Sequence, residues 1–327
     1  MEEEELKSGE VKQPQLPFEN LYLNTGVLSG YNSIWMYILT VSFALIGYFF
    51  YQSIIALPLM ARLQSNGYSA EAIIKNTNLL FDSTALRLDP NIVLLLELGM
   101  FVAAFAGLYL GIRFIHHKTL RSVLTGYEKF RLSRFGFAFL IWSLLQIVLV
   151  SVSYWTSPED FEWSFDLSGI LLSALIMIVL MPLQTGFEEV FFRGYLVQGL
   201  AQVFKNGWLP MLLMALLFAL AHMSNPEVKK YGTVIMFTYY ALFGLFLGLL
   251  TLLDEGIELA FGIHFANNLI SSLLVSSNDS VIKTYSLFKT GAINPLSELL
   301  VWSAMALITF LIFRQRYKWR HYQVILK

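Results

Sequence analysis

Long apolar stretches are the feature that most constrains how this chain folds. Eight segments approach the roughly 20 apolar residues that one membrane-spanning helix requires. They lie near residues 34–59, 92–114, 135–154, 168–186, 209–222, 233–253, 257–275 and 296–313. Only 14% of the residues are charged, against roughly 25% in soluble domains. The sequence therefore predicts an all-α, polytopic membrane protein with about eight transmembrane helices. The fifth stretch is short, and an earlier start within "YLVQGLAQVF" would lengthen it.

The chain is expected to form one integral membrane domain, residues 33–327, after a polar tail. Residues 1–32 begin "MEEEELKSGEVKQPQLPFEN", which is acidic and lacks an apolar h-region. We therefore expect no cleaved signal peptide and a flexible cytoplasmic tail. Residues 62–89 form the longest loop, with room for a surface helix. The absence of cysteine excludes disulfides, thiolate metal sites and a cysteine nucleophile.

Clustered basic residues predict the orientation of the spans. Lysine and arginine are frequent in residues 113–134 and 313–327, whereas residues 155–166 carry acids and no base. Short basic loops stay in the cytoplasm, where anionic lipid also attracts them. Eight spans with both termini cytoplasmic satisfy these observations. The formal net charge of -1 gives no general attraction for nucleic acid, so the expected partners are membrane lipid and a membrane-associated substrate.

Six polar residues interrupt or directly follow the apolar stretches. In "TGFEEVFFRGYL", two glutamates and an arginine follow a spanning segment; "FALAH" ends in a histidine, and "HFANN" holds a histidine and an asparagine four residues apart. Ionisable residues within spans mark functional sites, and buried polar groups are costly unless they find partners. We therefore expect them to meet in one intramembrane polar cavity, in the inner-leaflet half: Glu188, Glu189, Arg193, His222, His264 and Asn268.

The helical spacing assigns different environments to the two glutamates. Glu189 and Arg193 are four residues apart and share a helix face, which favours an ion pair. Glu188 lies about 100° around the helix and keeps a carboxylate without that partner. Taken singly, the Glu189–Arg193 pair also fits a structural role, His222 a headgroup position and Asn268 a contact between helices. Their combination favours a shared site.

For the other polar residues in or near the spans we expect structural roles or exposed positions. Glu97 is a lone acid in the second stretch, which fits helix packing or support of the site. His116, His117 and His321 lie in the basic segments, and we expect them to face solvent or lipid. The chain has no H-E-x-x-H zinc motif, no G-x-S-x-G elbow and no aspartates paired across separate spans.

The ordered motifs resemble those of a known family. "EEVFFR" fits E-E-x-x-x-R, "FALAH" fits F-x-x-x-H and "HFANN" fits H-x-x-x-N, on successive apolar segments. In these motifs the chain resembles the CAAX protease and bacteriocin-processing family of intramembrane proteases, also called the type II CAAX prenyl endopeptidase family. The resemblance covers about residues 135–275. It implies an intramembrane endopeptidase that acts on a membrane-associated peptide or protein, which is prenylated for some members.

The resemblance also implies a role for each motif residue. Glu188 is expected to activate a water, His222 to orient it, and His264 with Asn268 to stabilise the oxyanion; the Glu189–Arg193 pair supports them. A zinc-dependent version stays open, with Glu188, Glu189, His222 and His264 as the candidate ligands. The cofactor is therefore either none or a divalent metal such as zinc. A second alternative is a non-proteolytic scaffold or transporter that keeps the fold.

Overall fold

A computed structural model describes residues 16–277, 280–291, 294–319 and 322. Helices dominate, which confirms the all-α prediction. In chain order the α-helices are α1 (Leu21–Leu28), α2 (Ile34–Ser65), α3 (Ala70–Lys75), α4 (Ser83–Leu86), α5 (Pro90–Leu110), α6 (Leu120–Leu124), α7 (Leu132–Thr156), α8 (Leu167–Glu188), α9 (Val197–Phe204), α10 (Trp208–Ala221), α11 (Pro226–Tyr231), α12 (Thr233–Leu253), α13 (Glu258–Leu274) and α14 (Pro295–Tyr317).

Capping side chains account for where three of the long helices, α5, α8 and α14, begin. Asp166 accepts a hydrogen bond from the Gly169 backbone N–H at 3.0 Å and starts α8. Asp89 does the same for α5, and Asn294 for α14, each directly before a proline at the first helical position. Such caps satisfy backbone donors that a helix leaves free at its start. A single polar residue thus marks the start of each of these three helices.

Six helical segments in the described ranges are long and apolar enough to cross a membrane, fewer than the expected eight. The fifth and seventh predicted stretches form the shorter helices α10, of 14 residues, and α13, of 17 residues. At 1.5 Å per residue they measure about 21 and 26 Å, less than the roughly 30 Å of a hydrocarbon core. The stretch "YLVQGLAQVF" does not lengthen α10, because it belongs to the continuous helical segment Leu167–Phe204.

Helix α13 lies at the centre of the molecule, against α7 and α8. Glycine at position 262 allows its close approach to α7, since a Cβ there would lie 2.4 Å from the Phe135 carbonyl oxygen. Helices α2 and α5 pack similarly, because a Cβ on Gly107 would lie 2.3 Å from the Phe43 carbonyl oxygen. Small residues allow such contacts between membrane helices. Close packing therefore fixes the position of the helix that carries His264 and Asn268.

The N-terminal segment is folded where the sequence predicted a flexible tail up to residue 32. Helix α1 buries Tyr22 and Leu23 completely. The Tyr22 hydroxyl donates to the Val123 carbonyl at 2.7 Å, and Asn20 Nδ2 donates to the Leu252 carbonyl at 2.9 Å. These contacts were not predicted because their partners lie more than 100 residues away. Residues 1–15 of the expected tail lie outside the described ranges.

The predicted loop helix is present between α2 and α5, together with a small sheet that was not predicted. Residues 62–89 include α3, a 3₁₀-helix (Thr77–Phe81) and α4. Strands β1 (Phe161–Trp163), β2 (Val275–Ser276) and β3 (Phe288–Thr290) pair in the order β1-β3-β2. Strand β1 runs antiparallel to β3, and β2 runs parallel to it. Both features lie at the same end of the molecule, where Lys283 pairs with Asp82 at 2.8 Å.

The expectation for His116 was wrong. Its ring is fully buried and lies 2.6 Å from the Tyr31 carbonyl oxygen and 2.7 Å from the Tyr195 hydroxyl. Lys118 beside it is 2% exposed, because the N-terminal segment covers both side chains. His117 is exposed, as predicted. His321 lies outside the described residues.

Candidate functional site

The two adjacent glutamates lie where α8 changes into a π-helix. Glu188 is the last residue of α8, and the π-helix spans Glu189–Leu196 before α9 continues the same segment. The exposed fractions of the two residues are 7% for Glu188 and 0% for Glu189. π-Helices are rare and often accompany functional sites. The chain thus places two buried carboxylates at a local irregularity of its longest helical segment.

Glu189 forms the predicted ion pair and a second contact. Its Oε1 lies 2.8 Å from Arg193 Nη1 and 2.6 Å from His264 Nδ1. A carboxylate only accepts hydrogen bonds, so His264 donates from Nδ1. Arg193 is also buried, and its guanidinium lies 4.4 Å from the centre of the Phe218 ring. Glu189 and Arg193 therefore fix the orientation of the His264 ring.

Glu188 keeps one carboxylate oxygen free, as the helical spacing predicted. Its Oε1 accepts a hydrogen bond from Gln184 Nε2 at 2.5 Å. Its Oε2 lies 3.5 Å from His264 Nε2 and has no hydrogen-bond partner within the described ranges. An unsatisfied buried carboxylate oxygen is costly, so this oxygen is ready to accept a proton or a water hydrogen.

His222 presents its other ring nitrogen to the same region. It caps the C-terminus of α10, and its Nδ1 donates to the Phe218 carbonyl at 2.7 Å. The ring lies between Phe218 and Tyr240, at centroid distances of 4.2 and 4.5 Å. Because Nδ1 carries the hydrogen, Nε2 of the neutral ring is an acceptor. His222 can therefore orient a water without being charged.

Gln184 joins the site, although sequence reasoning did not identify it. Its amide donates to Glu188, and its Oε1 accepts a hydrogen bond from Asn268 Nδ2 at 3.2 Å. The available signal was position, since residue 184 precedes Glu188 by four residues and shares its helix face. Gln184 therefore links the carboxylate on α8 to the amide on α13.

A cavity of about 920 Å³ connects these groups. Of the six predicted residues it is lined by Glu188, His222, His264 and Asn268. Glu189 and Arg193 do not line it and lie behind the His264 ring. Glu97 also lines the cavity, on α5. The structure thus brings four predicted residues together around one space and places two behind them.

The cavity extends away from the basic end of the molecule. Its lining includes the first turns of α12 and α14 and the last turn of α13. The opposite ends of α12 and α13 hold the acids that pair with the basic segment, where Arg131 Nη2 lies 3.0 Å from Asp254 and 2.8 Å from Glu258. From the basic loop and tail we expected a site in the inner-leaflet half with a cavity that opens to the cytoplasm or laterally into the inner leaflet. The extension away from the basic end was not part of that expectation, because charge indicates how the spans are oriented but not where packed helices leave a space.

The residues as arranged do not form a metal site. Over the described ranges, no three histidine, aspartate or glutamate side chains are placed to hold one ion. His264 Nδ1 is engaged by Glu189 at 2.6 Å, and its Nε2 lies 3.5 Å from Glu188 Oε2 on the cavity side.

Comparisons with known proteins agree with the geometry. The sequence model of the type II CAAX prenyl endopeptidase Rce1-like family matches residues 168–270, which contain every residue of the site except Glu97. An uncharacterized protein of Bacillus subtilis, YyaK, is 31% identical over 229 residues, which cover 69% of this chain and 76% of that protein. No solved structure matches this chain significantly.

Proposed function

Because the chain belongs to the type II CAAX prenyl endopeptidase Rce1-like family, we propose that it is an intramembrane endopeptidase in which Glu188 activates the attacking water. Its substrate is a peptide bond of a membrane-associated peptide or protein. The observation that carries the proposal is the free Oε2 of Glu188, buried at the wall of the cavity and 3.5 Å from His264.

The first step is proton removal from water. The free Glu188 oxygen takes the proton while the water oxygen bonds to the peptide carbonyl carbon. His222 supports this step, since its Nε2 can accept the other hydrogen of the same water. The ring of His222 is held by its bond to the Phe218 carbonyl and by Tyr240. The water is thus held between two acceptors.

The second requirement is stabilisation of the tetrahedral oxyanion. His264 Nδ1–H is held by Glu189, and Nε2 on the cavity side donates to the oxyanion when it carries a hydrogen. Asn268 Nδ2 uses one hydrogen on Gln184 and keeps a second for the oxyanion. Removal of one such donor typically reduces the rate about 10²–10³-fold. The C–N bond then breaks, and Glu188 returns its proton to the leaving amine.

Glu188→Gln is the experiment that tests this proposal. Glutamine keeps the size and the bond to Gln184 but cannot accept a proton, so cleavage of a processed membrane peptide should be lost at an unchanged thermal midpoint. Full cleavage by the purified variant would reject Glu188 as the base. If the folded variant instead keeps its cellular function without cleavage, the scaffold or transporter alternative is favoured.

Two further measurements test whether cleavage depends on a metal and whether the substrate must be prenylated. Chelator treatment followed by zinc addition should leave cleavage unchanged; loss and zinc rescue would favour the metal-dependent version. Prenylated and unprenylated forms of one peptide should be compared for kcat/KM. A strict requirement for the prenyl group would assign the narrower substrate class.

A further inference from the structure

One end of the cavity combines carboxylates with tyrosines and has no assigned role. It lies beside His222, where the first turns of α11 and α14 meet α12. Throughout, the acidic pocket denotes these five cavity-lining residues: Glu227, Tyr231, Tyr239, Tyr240 and Glu298.

The carboxylate of Glu227 is fixed in place but not neutralised. Its Oε1 accepts a hydrogen bond from the Tyr240 hydroxyl, to which Asn225 Nδ2 also donates at 3.1 Å. Its Oε2 is buried and has no hydrogen-bond partner among the described residues. The Tyr231 hydroxyl is likewise buried without a partner there. A carboxylate oxygen and a hydroxyl of this pocket are therefore buried without a hydrogen-bond partner among the described residues.

The carboxylate of Glu298 and the rings of Tyr239 and Tyr240 also contribute to the acidic pocket. Tyr239 lies within electrostatic reach of both Glu227 and Glu298. The rings of Tyr239 and Tyr240 meet edge to face, with centroids 5.7 Å apart. Aromatic faces attract ammonium and guanidinium groups, and carboxylates form strong charge-assisted hydrogen bonds with them. The pocket thus offers both interactions that an organic cation requires.

The acidic composition of the cavity lining points in the same direction. Four glutamates line it, namely Glu97, Glu188, Glu227 and Glu298, whereas no lysine or arginine does in the part of the chain that the structure describes. Lys230 does not line the cavity; its Nζ donates to the Gly291 carbonyl at 3.1 Å and lies 5.1 Å from the centre of the Tyr231 ring. A free peptide carboxylate at this end would meet like charge, whereas a cationic side chain would be attracted.

The pocket is close enough to the reactive residues to act on the same substrate. The Tyr240 ring stacks on His222 at 4.5 Å, and its hydroxyl bonds to Glu227. Tyr240, which belongs to the acidic pocket, therefore contacts His222, the residue proposed to orient the water. We propose that the acidic pocket binds a lysine or arginine side chain of the peptide substrate, within about three extended residues of the cleaved bond. This inference rests on the proposed endopeptidase function and adds a substrate class to it.

A lysine scan of the substrate tests the pocket directly. The probe is a fluorescent peptide of leucine, alanine and serine, in which one lysine is moved along the chain and compared with norleucine at each position. With purified full-length protein, one or two positions should give about a tenfold higher kcat/KM for lysine, as expected for one charged hydrogen bond. Equal values at every position would overturn the proposal.

Variants of the pocket and of the surface provide the matched comparison. In the double variant Glu227→Gln/Glu298→Gln, the ratio of kcat/KM for the lysine peptide to kcat/KM for the norleucine peptide should fall to about 1. The reason is that the negative charge is lost while the size of the side chains is kept. Glu71→Gln, at an exposed site on α3, should keep the wild-type ratio. A ratio that persists in the double variant would reject these residues. If the double variant does not fold, a lysine-to-glutamate change in the peptide supplies the test, and we expect at least a tenfold loss with wild-type protein.

Binding measurements separate failure of the pocket from failure of the proposed enzyme. Fluorescence anisotropy with Glu188→Gln protein reports affinity without cleavage, and the lysine peptide should bind about tenfold more tightly than the norleucine peptide. If wild-type protein cleaves no peptide but the lysine-dependent affinity persists, only the protease proposal fails. If cleavage occurs without any lysine dependence, only the pocket fails.

Discussion

At the scale of single residues, the chain contains two ion pairs of equal spacing in opposite environments. Glu189 and Arg193 are buried at 2.8 Å, whereas Glu71 and Lys75 make a 2.8 Å pair with more than 70% of each side chain exposed. Glu189→Gln leaves a buried guanidinium without its counter-charge, and we expect a loss of about 3–5 kcal/mol in unfolding free energy. Glu71→Gln should change stability little. Denaturant unfolding of both variants in one detergent measures the difference, and equal losses would contradict it.

Glu189→Gln should also reduce cleavage by a different route from Glu188→Gln. The substitution removes the carboxylate that holds His264 Nδ1, so the ring loses its fixed orientation. Activity and stability should therefore fall together in Glu189→Gln, whereas only activity should fall in Glu188→Gln. Thermal midpoints and cleavage rates of the two purified variants, measured side by side, provide the check.

Lys118 gives the fold a pH dependence of predictable sign. Burial lowers its pKa from 10.5 to about 8, and its hydrogen-bond partners, Gly26, Asn32 and Tyr37, are all uncharged. Between pH 8 and 10.5 the unfolded chain holds a proton on this amine that the folded chain lacks, so stability rises with pH in this window. The gain is about 3 kcal/mol at most. The unfolding free energy of wild type, relative to Lys118→Met, should increase from pH 7.5 to 9.5; parallel profiles would exclude the effect.

Residue-scale prediction succeeded where spacing alone decides the contact. The Glu189–Arg193 pair and the free Glu188 oxygen both follow from helical periodicity. Gln184 and Tyr240 were missed because they carry no charge and, unlike Asn268, belong to none of the three motifs. His116 was misplaced because its basic neighbours suggested solvent, while its burial depends on a segment 85 residues earlier in the chain.

At the scale of helices, the contact of α7 with α13 can be tested with two glycines. A Cβ on Gly262 would lie 2.4 Å from the Phe135 carbonyl, whereas a Cβ on Gly136 meets nothing within 4 Å. Gly262→Ala should move α13 away from α7 and displace His264 from Glu188, with a loss of cleavage and of stability. Gly136→Ala should be neutral or slightly stabilising, because alanine favours a helix by about 1 kcal/mol. Cleavage by Gly262→Ala at the wild-type rate would contradict this packing argument.

Helix positions were predicted better than helix connections. Every apolar stretch contains a helix, because hydropathy and length decide that outcome. The continuous segment Leu167–Phe204 was not predicted, since the π-helix departs from the 3.6-residue period on which sequence reasoning depends. The possible earlier start of the fifth span, within residues 195–204, is not observed, because these residues continue the helical segment of the fourth span.

At the scale of the whole molecule, the orientation in the membrane remains a prediction from charge. The chain has no cysteine, so single cysteines can be introduced without background. Lys129→Cys and Glu159→Cys both lie at exposed positions, on a basic and an acidic connection respectively. An impermeant thiol reagent should label position 159 in intact cells and position 129 only after permeabilisation. The reverse pattern would invert the topology.

The N-terminal segment also constrains when this molecule can be completed during synthesis. Asn20 bonds to a carbonyl 232 residues later in the chain, and ribosomes add about 5–20 residues per second. The segment is therefore translated about 10–50 s before that partner exists. Until residues 123 and 252 have been made, Tyr22 and Asn20 lack the backbone carbonyls to which they bond. Helix α1 consequently docks late in biogenesis, and the nascent chain must shield this apolar segment in the meantime, at the lipid surface or on a chaperone.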